Sequence, residues 1–350
     1  MKLDKILSIG TRKLAAAFAI LTCAVTLTSC DGLLYEDEGD CDPHYKVRFR
    51  FDYNLKKADA FAQEVNAVTL YVVDPETDRV VWRKTESSDI LKSEGYLMDV
   101  EGLAPGNYKL MAWAGDGHKG SPHFTLADEG DNHKELICTL NRTYTTDGTA
   151  EVTDNLHRLY KDLPEEFNNR EFTDRQGTHI HTVRLMKNTN DITVVLQHLS
   201  GEPVDPSDFD FAITEANGTM NYDNSLLPDE EITYRPWATR SGVSEGFVPE
   251  GMIQAKFSAA IADFTVGRMM ADRKMYLTIT RHSDGGLVAK VPVIDYALMV
   301  KANYGDMPDQ EYLDRQDHYS MVFFLDDGLR WLNTMIYINA WHVVLSDHDL

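Results

Sequence analysis

The stretch Tyr45-Lys-Val-Arg-Phe-Arg-Phe-Asp-Tyr53 alternates apolar and polar residues without a break. A period of two is the pattern of a β-strand that buries one of its faces. A second β-rich run, residues 65–73, leads through the turn at 74–78 into Val80-Val81-Trp82, which predicts a hairpin. We therefore expect the folded part of the chain to begin as β-sheet close to Tyr45.

The rest of the chain continues in the same style. A turn at Pro105-Gly106 precedes a strand that ends at Trp113, and short strand patterns follow at 136–140, 180–186, 192–199, 210–214, 252–264, 274–280, 287–292, 320–325 and 335–345. Helical patterns are predicted only at 152–160 and 308–317. Many short strands and few helices indicate a mostly β fold of two β-sandwich domains with Greek-key connections.

The N-terminal segment, residues 1–29, has the composition of a secretory signal peptide. Basic residues precede an apolar run at 14–27, which is too short and wrongly flanked for a spanning helix of the mature protein. The run ends in Leu27-Thr28-Ser29-Cys30, which resembles the bacterial lipobox. We predict that Cys30 carries a diacylglyceryl thioether and begins a membrane-anchored mature chain. The alternative is that Cys30 is incidental.

Three segments are predicted after the signal peptide. Residues 30–43 form a lipidated acidic tether, because they are acidic and aperiodic and contain glycine. Residues 44–187 form an N-terminal β-sandwich and residues 188–350 a C-terminal one. The polar stretch Lys187-Asn188-Thr189-Asn190 marks the boundary.

The net charge of the chain narrows the classes of partner. The formal net charge of −22 argues against nucleic acid and anionic lipid headgroups as partners.

Once Cys30 is acylated and the leader removed, Cys41 and Cys138 are the remaining pair of cysteines. In an oxidising compartment this favours a disulfide, with two buried thiols as the alternative. These two cysteines are far apart in the sequence and form no Cys-x-x-Cys motif, so they do not indicate a zinc site.

Catalytic and metal-binding patterns are weak. Gly242-Val-Ser-Glu-Gly246 matches the elbow of serine hydrolases, but its flanks cannot supply the required strand and helix, so a flexible loop is predicted. His179 and His181 share a strand face without an obvious third ligand. Acidic groups that could hold calcium lack the spacing of a calcium loop; they are Asp208 with Asp210, and Asp128 with Glu129 and Asp131. We predict no metal, no cofactor and no enzymatic activity.

Several motifs occur in a particular order along nearly the whole chain. They are Cys30, Cys41-Asp42, Tyr45–Asp52, Gly102–Trp113, Lys187–Val194, Leu277-Thr-Ile279, Val291–Tyr296, Tyr312–Met321 and Ile336–Val343. In this order they resemble the FimB-type fimbrial anchor lipoproteins of Bacteroidales, although Ala340 stands where that family usually has glycine. The acidic residues Glu36, Asp37 and Glu38 resemble the signal that sends such lipoproteins to the outer face of the outer membrane.

The resemblance implies two transthyretin-like domains and a lipid-anchored, surface-exposed outer-membrane protein that holds the basal shaft subunit, a fimbrillin, of a pilus. Binding requires an open sheet edge that pairs with the subunit. The predicted contact strand is the final one, with Ile336, Ile338, Trp341 and Val343, and an ordinary core strand is the alternative. The rival function is a surface lipoprotein that binds glycans or another ligand, for which Trp237 is the candidate platform. An assembly or inhibitor protein of the surface machinery is a third reading.

Overall fold

The computed structural model describes residues 42–116, 121–127, 130–164, 169–198, 200–247, 254–339 and 341–344. They fall into two units. The smaller comprises Thr173–His179 and the described residues before Tyr45. Within it, the Arg175 amide donates to Thr173 Oγ1 at 3.3 Å, and an imidazole nitrogen of His179 lies 2.7 Å from the Arg175 carbonyl. The larger unit comprises the described residues from Tyr45 to Phe172 and from Ile180 onward.

The strands are numbered in chain order. Up to Lys187 they are β1 (Pro43–Arg50), β2 (Ala67–Asp74), β3 (Arg79–Glu86), β4 (Met98–Val100), β5 (Gly106–Gly115), β6 (Phe124–Ala127), β7 (Ile137–Leu140), β8 (Thr143–Tyr144), β9 (Ala150–Val152), β10 (Leu159–Asp162), β11 (Asn169–Phe172) and β12 (Gly177–Lys187). After Lys187 they are β13 (Asn190–His198), β14 (Phe209–Glu215), β15 (Thr219–Met220), β16 (Ile232–Tyr234), β17 (Ala238–Phe247), β18 (Gln254–Val266), β19 (Tyr276–Arg281), β20 (Leu287–Pro292), β21 (His318–Leu325), β22 (Trp331–Ile338) and β23 (Trp341–Val344). The helices are α1 (Phe61–Glu64), α2 (Val293–Met299) and α3 (Asp309–Arg315), with 3-10 turns at Asp89–Lys92, His133–Glu135, Pro206–Asp208 and Lys301–Tyr304.

The described strands form four sheets. Sheet 1 runs β3-β2-β5-β10-β12-β1-β4, with β11 also paired to β5. Sheet 2 runs β17-β18-β13-β21-β22-β23, sheet 3 runs β20-β19-β14-β16-β9-β8, and sheet 4 runs β15-β7-β6. The predicted fold class, mostly β with packed sheets and few short helices, is confirmed. In sheet 3, strands from both sides of Lys187 are neighbours, and the division into domains 44–187 and 188–350 stays a prediction.

Sheet 1 is buried on both faces where β2 and β5 pair. Successive side chains of a strand point to opposite faces, so the two phases of these strands meet different surroundings. One phase belongs to a core made from the first part of the chain, and the other packs into a core that contains sheets 2 and 3. The first set is Leu70, Val72, Leu110 and Ala112; the second is Tyr71, Val73, Met111 and Trp113. Sheet 1 therefore lies between two hydrophobic cores.

The predicted helix at 152–160 is wrong. Val152, Leu156 and Leu159 have the spacing of a helical apolar face, but their backbones serve the sheets. The carbonyl of Val152 accepts from Arg235 at 2.8 Å, and that of Leu159 accepts from Asn188 at 2.7 Å. Neighbouring strands satisfy these groups, so tertiary pairing overrides the local pattern. The helix predicted at 308–317 is confirmed as α3, with Pro308 at its N-cap.

A buried ion pair joins α3 to the segment that follows β18. The guanidinium of Arg268 contacts both carboxylate oxygens of Asp314 at 3.0 and 3.2 Å, and the Asn224 carbonyl also accepts from it. Gln310 donates to Asp314 at 2.9 Å. The two charged side chains are only 9% and 10% exposed. Burial raises the pKa of Asp314, and the nearby Arg268 opposes that rise.

Candidate functional site

The C-terminal segment predicted as one strand is a hairpin. β22 and β23 pair antiparallel, and Ile338 lies opposite Trp341, so the loop between them is two residues long and begins with Asn339. Asn339 has φ 48°, a left-handed conformation that asparagine tolerates better than most residues. Its backbone amide donates to the Ser320 carbonyl at 2.9 Å, and its side-chain oxygen accepts from the Ser320 amide at 2.8 Å. The turn is thereby attached to β21.

The predicted contact residues divide between the two strands of this hairpin. Ile336 and Ile338 on β22 are completely buried in the core, so their side chains face inward. Trp341 and Val343 lie in β23, opposite Ile338 and Ile336.

β23 is the last strand of sheet 2, and in the described part of the chain no strand pairs with its outer side. In a hairpin with a loop of this length, the residues that flank the loop form a hydrogen-bonded pair, and such pairs alternate with non-hydrogen-bonded ones. Trp341 and Val343 thus bond to β22. The backbone groups of His342 and Val344 point away from it. An outward row of N–H and C=O groups is a template for strand addition.

Of the cysteines singled out in the sequence, the described residues include Cys138. Cys30 and Cys41 lie outside the described residues, so the lipid attachment and the disulfide stay predictions. Cys138 lies in β7, is fully buried within the core and pairs opposite Leu126 and Met220. Burial raises the pKa of the Cys138 thiol to about 12.

Alkylation tests the state of Cys138. We expect the sulfur to resist iodoacetamide in the folded protein, because it is buried and a thiol there is protonated. If the Cys41–Cys138 bridge forms, it should also resist in guanidinium until a reductant is added. Peptide mass spectrometry of the unfolded, unreduced protein provides the measurement, and two alkylated cysteines would exclude the bridge.

The tryptophans differ in exposure. Trp237 is 41% exposed in the link between β16 and β17, whereas Trp113 is buried and Trp82 and Trp331 are half-buried. The side chain of Trp341 is not described. Trp237 is therefore the described tryptophan most available to a ligand, as the sequence suggested.

The catalytic and metal patterns do not come together into a site. Ser244 lies within β17, paired with Phe257 on β18, so the predicted loop is a strand and no strand–turn–helix elbow forms around it. The ring of His181 stacks on Phe172 at 4.3 Å. Asp210 contacts His282 at 3.0 Å. Across the described ranges no group of three acidic, histidine or cysteine side chains is arranged to hold a metal ion, and Asp128 and Glu129 lie outside those ranges.

Comparison with known proteins identifies the class. The sequence model of the fimbrillin-A associated anchor proteins Mfa1 and Mfa2 matches residues 37–347. The chain belongs to this family, and the resemblance to fimbrial anchor proteins is confirmed. No curated protein sequence matches the chain significantly.

Solved structures with the same fold come from Bacteroides and Porphyromonas species. A candidate adhesin of Bacteroides thetaiotaomicron is 35% identical, with TM-score 0.76, over 89% of this chain and 100% of that chain. A candidate polysaccharide-binding protein of the same organism is 28% identical, with TM-score 0.73, over 88% and 100%. The fimbrial anchor protein Mfa2 of Porphyromonas gingivalis is 14% identical, with TM-score 0.59, over 87% and 100%, and supports the fold alone.

Family membership gives the chain a fimbria-associated role at the cell surface or envelope. In the part of the chain that the structure describes, no helix is long and apolar enough to cross a bilayer. Sequence reasoning missed the hairpin turn, although Asn339 between two apolar runs was the residue that could have located it.

Proposed function

We propose that this protein is an outer-membrane surface lipoprotein that anchors a fimbria to the cell without catalysing a reaction. The lipid on Cys30 would hold it in the outer membrane, and its β23 edge would bind the basal shaft subunit, a fimbrillin. The observation that supports the contact with the shaft subunit is the outer side of β23, which lacks a partner strand in the described residues.

The construction of the hairpin supports this role. An edge strand binds an incoming strand through its backbone, so it must keep its shape without that partner. The buried side chains of Ile336 and Ile338 fix β22 in the core, and the two bonds between Asn339 and Ser320 fix the turn. A rigid edge loses little conformational entropy when a subunit pairs with it, which favours affinity.

A proline substitution in β23 tests the proposal. His342→Pro removes an outward N–H while the ladder bonds of Trp341 and Val343 to β22 stay in place. We expect cells that carry this variant to release most of their fimbriae into the medium, as seen by electron microscopy and by immunoblots of cells and supernatant. His342→Ala is the matched control, since it alters the side chain but keeps the N–H, and it should retain fimbriae.

Two results would contradict strand addition at this edge. One is full retention of fimbriae by His342→Pro. The other is equal shedding by His342→Ala and His342→Pro, which would assign the contact to the side chain. Surface labelling of each variant with antibody establishes that the anchor itself is present at wild-type level.

A further inference from the structure

The outer face of sheet 2 carries polar side chains where β13 and β18 pair. Asp191 lies opposite Thr265, and Thr193 lies opposite Asp263. The alternate residues of both strands, such as Val194 and Phe264, belong to the core on the other face. The period of two therefore places this polar set together on the side of the sheet that faces away from the core.

This polar set forms the floor of a cleft with a volume of about 840 Å³. Asp263 and Thr265 are only 7% and 4% exposed, although they lie on the outer face. Thr193 donates to Asp263 at 2.8 Å, and the Thr265 hydroxyl lies 3.0 Å from Asp191 Oδ1 and 2.9 Å from Asn155 Oδ1. The floor is thus a fixed hydrogen-bonded network.

The walls of the cleft differ in character. The lining includes the segment 155–158 and Asp116, which accepts from Asn66 at 2.6 Å. It also includes Trp237, just before β17, and Arg240 within β17. Trp237 follows Pro236, and its amide donates to the Asp263 carbonyl at 2.9 Å, so the backbone that carries the indole is restrained. An exposed aromatic side chain is held beside a polar floor.

The cleft has no excess of positive charge. Its lining contains the carboxylates Asp116, Asp191 and Asp263 and the cations Arg158, Lys187 and Arg240. Two of the cations are neutralised locally, because Arg240 pairs with Asp263 and Lys187 pairs with Asp317. The lining groups that remain, Asp116, Asp191 and Arg158, carry no net positive charge, so the site has no cationic excess to attract an anionic ligand.

Donors and acceptors remain available at the rim. The side chain of Arg240 is 53% exposed, and Asn155 and His318 are exposed as well. The guanidinium of Arg240 can engage two neighbouring hydroxyls, and the Asn155 amide nitrogen and the His318 imidazole can each make one further hydrogen bond. A pyranose ring presents C–H groups on its faces and hydroxyls around its edge, so it matches an indole face bordered by such side chains.

We infer that this cleft binds an uncharged oligosaccharide. One sugar ring stacks on the indole of Trp237, and its hydroxyls bond to Arg240, Asp191 and Asn155. Ligand pockets commonly measure about 300–1,000 Å³, so the cleft has room for a chain of a few rings. The anchor would then carry a carbohydrate site separate from the β23 edge.

Binding to neutral oligosaccharides tests the inference directly. The full chain in detergent is titrated calorimetrically with α-glucan, β-glucan, mannan, xylan and galactan fragments. We expect at least one of them to bind, and Trp237→Ala to weaken that binding at least about tenfold, or ~1.4 kcal/mol. Trp237→Phe keeps an aromatic face and should retain most of the affinity. Tyr144→Ala is the matched control, because Tyr144 is 60% exposed on β8 in a different sheet.

A second readout follows the indole itself. Ligand binding should change the tryptophan fluorescence of the wild type and of Tyr144→Ala, but not of Trp237→Ala, whose thermal unfolding should match the wild type. The inference is overturned if no neutral fragment binds at millimolar concentration, if only anionic glycans bind, or if Trp237→Ala binds normally. Shedding of fimbriae by Trp237→Ala without any glycan binding would also overturn it, by assigning the cleft to the shaft subunit.

Discussion

Cys30→Ala is expected to abolish membrane retention of the protein and to release fimbriae from the cell. Cys30 is the cysteine at the predicted cleavage site, whereas Cys23 lies inside the apolar run of the leader. Each buried methylene group contributes about 0.8 kcal/mol to membrane binding, so two acyl chains hold a protein that one chain would release. Without them, an acidic body of this charge has no attraction for an anionic membrane surface.

The measurement is metabolic labelling with radioactive palmitate, followed by fractionation of the envelope and electron microscopy. Cys41→Ala is the matched control, because it removes a nearby cysteine and leaves the lipobox intact. It should keep the label, the outer-membrane location and the fimbriae. Persistent palmitate labelling of Cys30→Ala would refute the lipid assignment, and cell-bound fimbriae without the label would refute the anchoring role of the lipid.

Arg268→Met is expected to lower the free energy of unfolding by about 3–5 kcal/mol, the cost of leaving one partner of a buried ion pair alone. The substitution keeps much of the side-chain volume but removes the guanidinium that contacts both oxygens of Asp314 and the carbonyl of Asn224. The carboxylate of Asp314 then keeps only the Gln310 amide among these partners. The contact between α3 and the segment after β18 should weaken accordingly.

Urea denaturation followed by circular dichroism measures this loss. Arg281→Met is the matched control, because Arg281 pairs with the more exposed Asp284 and such surface pairs contribute about 0–1 kcal/mol. A double variant, Arg268→Met with Asp314→Leu, should recover part of the stability since no charge is left buried. Equal losses for Arg268→Met and Arg281→Met would contradict this account.

The same pair predicts the direction of a pH effect. Burial raises the pKa of Asp314, so the folded state binds this proton more tightly than the unfolded state does. The contribution of a group with a raised pKa falls as pH rises through that pKa. Without Arg268 the pKa of Asp314 should rise further, because the opposing cation is gone. The cost of Arg268→Met should therefore be smaller in mildly acidic buffer than at neutral pH.

Much of the fold followed from local pattern, and the exceptions have physical causes. Alternation from Tyr45 predicted β1, and Pro308 predicted the start of α3. The segment at 152–160 misled because its apolar residues have helical spacing, while strands far away in sequence satisfy its backbone. Whether a strand lies at an edge depends on pairing between distant segments, so sequence could not place β23 at the margin of sheet 2.

The cleft could not be predicted from the sequence, because its residues are brought together by the pairing of distant strands. The sequence marks Trp237 as a candidate surface aromatic, but its polar neighbours come from other strands and loops. Thr193 and Asp263 meet only through the register of β13 and β18, and Asn155 reaches Thr265 from another part of the chain. Sequence gives the side chains of each strand, whereas register decides which of them share a site.

The attachment of Asn339 to Ser320 has a mechanical consequence. A filament in flowing liquid pulls on its mooring, and a shaft strand added along β23 would transmit that tension parallel to the strands. In this shear direction the backbone bonds of the added strand would be loaded together, whereas peeling would break them one after another. The two hydrogen bonds at Asn339 hold the end of the hairpin against β21. Tension on the filament would therefore be carried to the central strands of sheet 2 and would not separate β23 from the edge.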